Sequence, residues 1–262
     1  IYRRPLAVLY LSEPPRDFDV MKDFRRLPDV LPRPFSPALR VEMRNAQSRR
    51  ETALELAQSE NETKFGLVGS VDLTTPPEVA AGSLRGSLGV ALDMQQDWCT
   101  KYEALGAWRA AIEKHNVLVF QTLNYNRIET AEMRGFSIGG SHLPVIVLNT
   151  KDDAHGRIFT LMHEFTHIVL GHGGVCDLSP IDRGVTDEQR VEVFCNYVAA
   201  ALLVPEQALL DHVVVRQHGA HRWADEELEV LSSAFRVSNE VILRRLLTLG
   251  RLDPSEYEEW RR

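Results

Sequence analysis

The run His163-Glu164-Phe165-Thr166-His167 limits what this chain can fold into more than any other feature. Its neighbours Ile158, Leu161, Met162, Phe165, Ile168 and Val169 are apolar at helical spacing, so Gly156–Leu170 reads as one amphipathic helix. Residues four apart on a helix lie one turn apart on the same face. The two imidazoles therefore point the same way and can hold one metal ion through ring nitrogens. Glu164 is rotated by roughly 100° from His163, so it cannot be an equal third ligand. It is placed instead to hydrogen-bond a water beside the metal and act as its base. A hydrolytic zinc site needs that division of labour, a third protein ligand and an open coordination position.

The next helical segment, Asp187–Val204, offers the third ligand. Its apolar face runs through Val191, Phe194, Val198 and Leu202, and a neighbouring stripe runs through Glu188, Glu192, Cys195, Asn196 and Ala199. Small residues at Cys195 and Ala199 let two helices approach closely. Glu188 stands in the first turn, where a carboxylate favours the helix dipole without any ligand role. Glu192 stands deeper and is preferred as ligand. A solvated surface role for it stays open.

Elsewhere the chain reads as helices, then a small sheet, then helices, which is an α+β order. Ser36 followed by Pro37 is a helix start, with an apolar stripe that continues to about Ser59. Pro76–Leu88 and Asp93–His115 are helical. Val117–Thr122, Met133–Ile138 and Pro144–Asn149 are β-rich runs between turn residues. Helices are expected again over Pro205–Val215, Asp225–Phe235, Asn239–Leu249 and Pro254–Trp260. The boundaries read as 1–75 for an N-terminal arm and exposed helix, 76–215 for the domain with the histidine pair, and 216–262 for a C-terminal helical segment packed on it.

Composition excludes several classes. The 262 residues are 44% hydrophobic and 26% charged, an ordinary globular balance. No apolar run approaches the ~20 residues of a membrane span. Cys99, Cys176 and Cys195 are odd in number and far apart, which argues against a disulfide framework and for the cytoplasm. The net charge of -7 disfavours nonspecific nucleic-acid binding. Four arginines (Arg236, Arg244, Arg245, Arg251) do cluster in the tail, around a helix-turn-helix-like pattern with its turn at Val237-Ser238. Acidic residues flank them, so the tail is expected to be a packing unit that buries Leu228, Leu231, Phe235, Val241, Ile242 and Leu246.

The stretch from Gly156 to His167, then Glu192-Val193-Phe194-Cys195-Asn196-Tyr197 through Pro205, resembles the ImmA/IrrE family of metallopeptidases. The segments Arg4-Pro5-Leu6 to Pro14-Pro15, Met133-Arg134-Gly135-Phe136-Ser137 and Pro144–Asn149 fit the same resemblance. It implies a zincin-like fold, one Zn2+ held by His163, His167 and Glu192, and Glu164 as general base. Other divalent metals stay open. It also implies a protein substrate, often a repressor in a stress-response or mobile-element switch. Many members carry a Cro/repressor-like helix-turn-helix domain ahead of the peptidase domain. Residue 1 here is Ile, so DNA binding is expected only through a domain missing before Ile1, and a homodimer stays open. The rival reading is a transcriptional regulator whose zincin-like part is a sensor or interaction module. Arg134 and Phe136, on a strand, and His172, past the helix end, are the expected substrate contacts. A packed or oxyanion-stabilising Tyr197 and a small buried Cys195 are expected nearby.

Overall fold

The computed structural model describes residues 35–59, 62–122, 128–171, 187–219 and 222–260. The expected arm ahead of residue 35 lies outside them. Helix α1 (Pro37–Leu56) starts as its sequence demands: the Ser36 side chain accepts from the Leu39 N–H and Pro37 occupies the first turn. Helix α2 (Pro77–Leu88) ends at Gly89, whose φ of 66° is the left-handed cap that glycine adopts without strain. The helix expected over Asp93–His115 is two: α3 (Leu92–Asp97) and α4 (Lys101–Glu113). The apolar periodicity runs through the break, but Thr100 caps α4 by accepting from the Glu103 N–H. Trp98 turns extended at the break and packs edge-on against Trp108, with centroids 5.5 Å apart.

Three short strands follow: β1 (Leu118–Gln121), β2 (Gly135–Ile138) and β3 (Val145–Leu148). Their order is β1-β3-β2, with β1 parallel and β2 antiparallel to the central β3. All four β3 residues are fully buried because both faces of the sheet are covered. Val145, Val147 and Phe136 face a smaller core with Leu39 and Ala46 of α1. Ile146, Leu148 and Val119 face the main core, which holds helix α5 (Ala154–Leu170). The Arg50 guanidinium donates to the carbonyls of His142 and Leu143, which ties α1 to the loop ahead of β3. The result is a mixed α+β fold with a three-stranded sheet and many helices.

The remaining elements are α6 (Asp187–Leu203), α7 (Glu206–Asp211), α8 (Val213–Gln217), α9 (Asp225–Phe235), α10 (Asn239–Thr248) and α11 (Pro254–Trp260). The single helix expected over Pro205–Val215 breaks at His212, whose ring accepts from the Val214 N–H to start α8. The carbonyls at and just beyond the C-terminal end of α6, left open by helix geometry, are taken by side chains from α2, α3 and the tail helix α10. Arg85 donates to the Leu202 carbonyl, Gln95 to the Leu203 carbonyl and Arg245 to the Val204 carbonyl. Gln95 also donates to the Phe235 carbonyl at the end of α9. Leu228, Leu231, Phe235, Val241, Ile242 and Leu246 are all buried in the main core.

Three of the four tail arginines have partners within the protein, while Arg251 is exposed. Arg245 is fully buried and pairs with Glu78 at 2.7 Å. Arg244 pairs with Glu240 on its own helix, and Arg236 donates to the Gln96 carbonyl. Phosphate contacts are what set nonspecific DNA affinity, and few cations remain here for them. This chain is therefore expected to give no duplex-DNA gel shift at physiological salt. A tight complex lost in Arg244→Ala would promote the tail to a DNA-reading element.

Arg245 also carries a stability prediction. Arg245→Ala strands Glu78 and the Val204 carbonyl, and breaking a buried ion pair costs about 3–5 kcal/mol. Glu78 keeps some water contact, so the loss belongs at the lower end of that range. Arg244→Ala removes only an exposed same-helix pair worth about 0.3–0.5 kcal/mol. Urea denaturation of the two variants should separate them clearly, and equal midpoints would refute the structural role of Arg245.

Candidate metal centre

Helix α5 starts two residues before Gly156, because the Asp153 side chain accepts from the His155 N–H and caps it. It ends at Gly171, where φ is 70°. From Ile158 to Leu170 every residue is buried, including polar Thr160, His163, Glu164, Thr166 and His167. Buried polar groups need partners, and the Nε2 atoms of the histidine pair face a carboxylate carried by α6. His163 Nε2 and His167 Nε2 stand 3.0 Å apart. Glu192 Oε2 is 3.3 Å from the first and Glu192 Oε1 is 3.2 Å from the second.

These three groups form the one candidate metal cluster among the described residues. Ligand atoms about 2.0–2.1 Å from a tetrahedral zinc stand roughly 3.4 Å from one another. The observed separations fit that polyhedron, and two imidazoles with one carboxylate are a zinc-type donor set. The electrostatics agree. Burial opposes the charged form of His167, yet contacts with Cys195 and Glu192 and the nearby Glu164 outweigh it and hold its pKa well above the ordinary value. Burial also opposes the charged form of Glu192, but hydrogen bonds to His163 and His167 hold its carboxyl well below the usual range. The cluster thus favours positive charge at its centre. The Glu192 side chain keeps 37% of its surface exposed while His163 keeps none, so the cluster opens on the Glu192 side.

Helix α6 can approach this closely because Cys195 and Ala199, both fully buried, face α5 with little bulk. Burial pushes the Cys195 thiol up, and it lies against His167. Asn196 donates its side-chain amide to the Glu192 carbonyl at 2.8 Å, within α6.

Glu164 is 1% exposed and accepts a hydrogen bond from Ser137 Oγ at 2.8 Å. Ser137 lies on β2 and belongs to no motif that spacing exposes. The available signal was strand alternation: with Phe136 turned to one core, Gly135 and Ser137 must face the other side, towards α5.

The other expected contacts fall in different places. Arg134 ends the loop before β2 and pairs with Asp152 at 3.5 Å, half-buried. Phe136 is 2% exposed and packs with Leu39 and Val147 in the smaller core. Its side chain lies in the core on the side of the sheet facing α1, away from the α5 face. Tyr197 has the Arg245 guanidinium 5.8 Å from its ring centroid. Burial first, then the Glu78 charge, raises its pKa, and it faces that pair rather than the metal cluster. His172 lies outside the described residues.

A buried histidine pair on one helix and a carboxylate from the next, with a second carboxylate beside them, are a donor set that can hold a metal ion. The family model Peptidase_M78, described as the IrrE N-terminal-like domain, matches residues 113–247. That span is just over half of the chain and contains His163, Glu164, His167 and Glu192, and the chain belongs to this peptidase family. No curated protein matches the chain significantly. Among the described residues no helix is long and apolar enough to cross a membrane.

Proposed function

We propose that this chain is a zinc-dependent endopeptidase that cuts a regulatory protein, with a repressor as the expected substrate. The observation that carries the reading is the convergence of His163, His167 and Glu192 at 3.0 to 3.3 Å, beside a buried Glu164. His163, His167 and Glu192 are the proposed ligands. A divalent ion held by them would supply Lewis acidity towards water and a carbonyl. Glu164 accepts the proton of the attacking water and later delivers it to the leaving amine.

Strand β2 is the proposed substrate rail. The Arg134 carbonyl accepts from the Asn149 N–H. Antiparallel alternation then turns the backbone groups of Phe136 and Ile138 to β3, and those of Gly135 and Ser137 to the outer edge. Among the described residues no further strand pairs with that edge. An extended peptide added there gains main-chain hydrogen bonds next to Glu164. Such pairing needs little from the substrate's side chains, so the backbone of an unfolded segment is the expected target. Action in the cytoplasm fits the free thiols of Cys99 and Cys195.

Metal analysis and a cleavage assay test the reading together. The purified chain should hold one zinc and convert a repressor encoded beside its gene into discrete fragments. A chelator should stop cleavage and zinc should restore it. A fully zinc-loaded chain that leaves repressors and unfolded casein intact would refute the enzyme reading.

A further inference from the structure

Resting on that reading of Glu164, we propose that Gly135 and Ser137 of β2 act as a positioning pair that fixes the Glu164 carboxylate against its proton-transfer geometry. Two contacts in matching register carry the proposal. Ser137 Oγ donates to Glu164 Oε2 at 2.8 Å, with both residues buried. A Cβ built on Gly135 would stand 2.4 Å from Thr160 Cγ2 and 2.9 Å from the Val147 carbonyl oxygen. Both distances are below real contact, so any larger residue at 135 must displace the Thr160 side chain of α5 and disturb the pairing with β3.

The spacing explains why the two contacts belong together. Thr160 and Glu164 are four residues apart on α5, a rise of about 6 Å. Gly135 and Ser137 are two residues apart on β2, about 6.6 Å. The strand therefore lays two successive inward positions on two successive turns of the helix. The first is bare, which permits the approach. The second carries a hydroxyl, which uses it. A carboxylate on a helix otherwise has rotamer freedom, and orienting groups of this kind hold a reactive side chain near its productive geometry. Ser137 donates to the proposed base itself, so its expected effect is on Glu164.

Ser137→Ala should lower kcat roughly tenfold, the scale of one hydrogen bond to a charged group, while KM stays within about twofold. Zinc affinity by competition titration should be unchanged. Binding of acetohydroxamate to the zinc-loaded protein, which draws on both the metal and the neighbouring carboxylate, should weaken several-fold. Ser137→Cys, a weaker donor of similar size, should recover part of the kcat. Gly135→Ala should reproduce the kcat loss, and if it fails to fold the serine variants still decide. Unchanged kcat and hydroxamate binding in Ser137→Ala would overturn the proposal. So would a kcat loss matched by loss of zinc, which is the signature of a structural role. Normal turnover by Glu164→Gln would instead sink the reading of Glu164 itself, whatever the serine variants do.

Discussion

Glu164→Gln is expected to keep its zinc and lose peptide cleavage by roughly 10²–10⁴-fold, the usual contribution of a positioned acid–base group. The substitution changes one oxygen to an amide nitrogen and leaves the shape nearly constant. The amide oxygen can still accept from Ser137, so the carboxylate's place against β2 is kept. What is lost is the ability to hold a proton in transit between the attacking water and the leaving amine. Glu164 is 1% exposed, and removing a buried charge is not a penalty to folding. The variant should therefore melt at or above the parent's temperature. Initial rates on an unfolded substrate, with zinc measured on the same samples, check both halves of the expectation. Parental turnover would remove Glu164 from the mechanism, and loss of zinc would make it part of the metal shell instead.

Local patterns were the legible part of this chain. The Ser36 cap, the histidine pair on α5 and the stripe holding Glu192, Cys195 and Ala199 all depend on residues within a few turns of one another, so spacing alone exposes them. The three strands lie within their expected runs, β1 and β3 trimmed at both ends and β2 at its start. What escaped depends on tertiary register. The Ser137–Glu164 bond joins residues 27 apart, through a strand whose face is known only once Phe136 is seen to enter the α1 core. Arg245 lies on an amphipathic helix among charged neighbours and reads as surface. Its burial is decided by Glu78, 167 residues away, and by the open carbonyl at Val204. The break at Thr100 is a case of capping chemistry overriding an apolar period that runs on unbroken.

The candidate metal site depends on elements far from the histidines. Glu192 is carried by α6, and α6 is fixed at its C-terminal end by Arg85 from α2, Gln95 from α3 and Arg245 from α10. The tail thus contributes to the site by holding the helix that presents the carboxylate. This gives the helical pair α9–α10 a reason to accompany a peptidase core without any contact to nucleic acid.

Glu192→Ala should weaken zinc binding by at least about 100-fold, because disturbing even an outer partner of a ligand costs 10–100-fold. Three observations make Glu192 the ligand to lose. Its two oxygens lie 3.3 Å and 3.2 Å from the two imidazole nitrogens. Its carboxyl is held well below the ordinary range by those imidazoles against the opposing effect of burial, so it stays ionised across neutral pH. Its helix can approach α5 because Cys195 and Ala199 are small. Glu188→Ala, one turn earlier on the same helix, should change zinc affinity by no more than a few-fold. Glu192→Asp keeps the charge but shortens the reach, and should fall between the two. Competition with a chromophoric chelator at fixed pH measures all three. Equal zinc affinity in Glu192→Ala and Glu188→Ala would show the third ligand to be elsewhere, with Asp187, Glu188 and His172 the residues to substitute next.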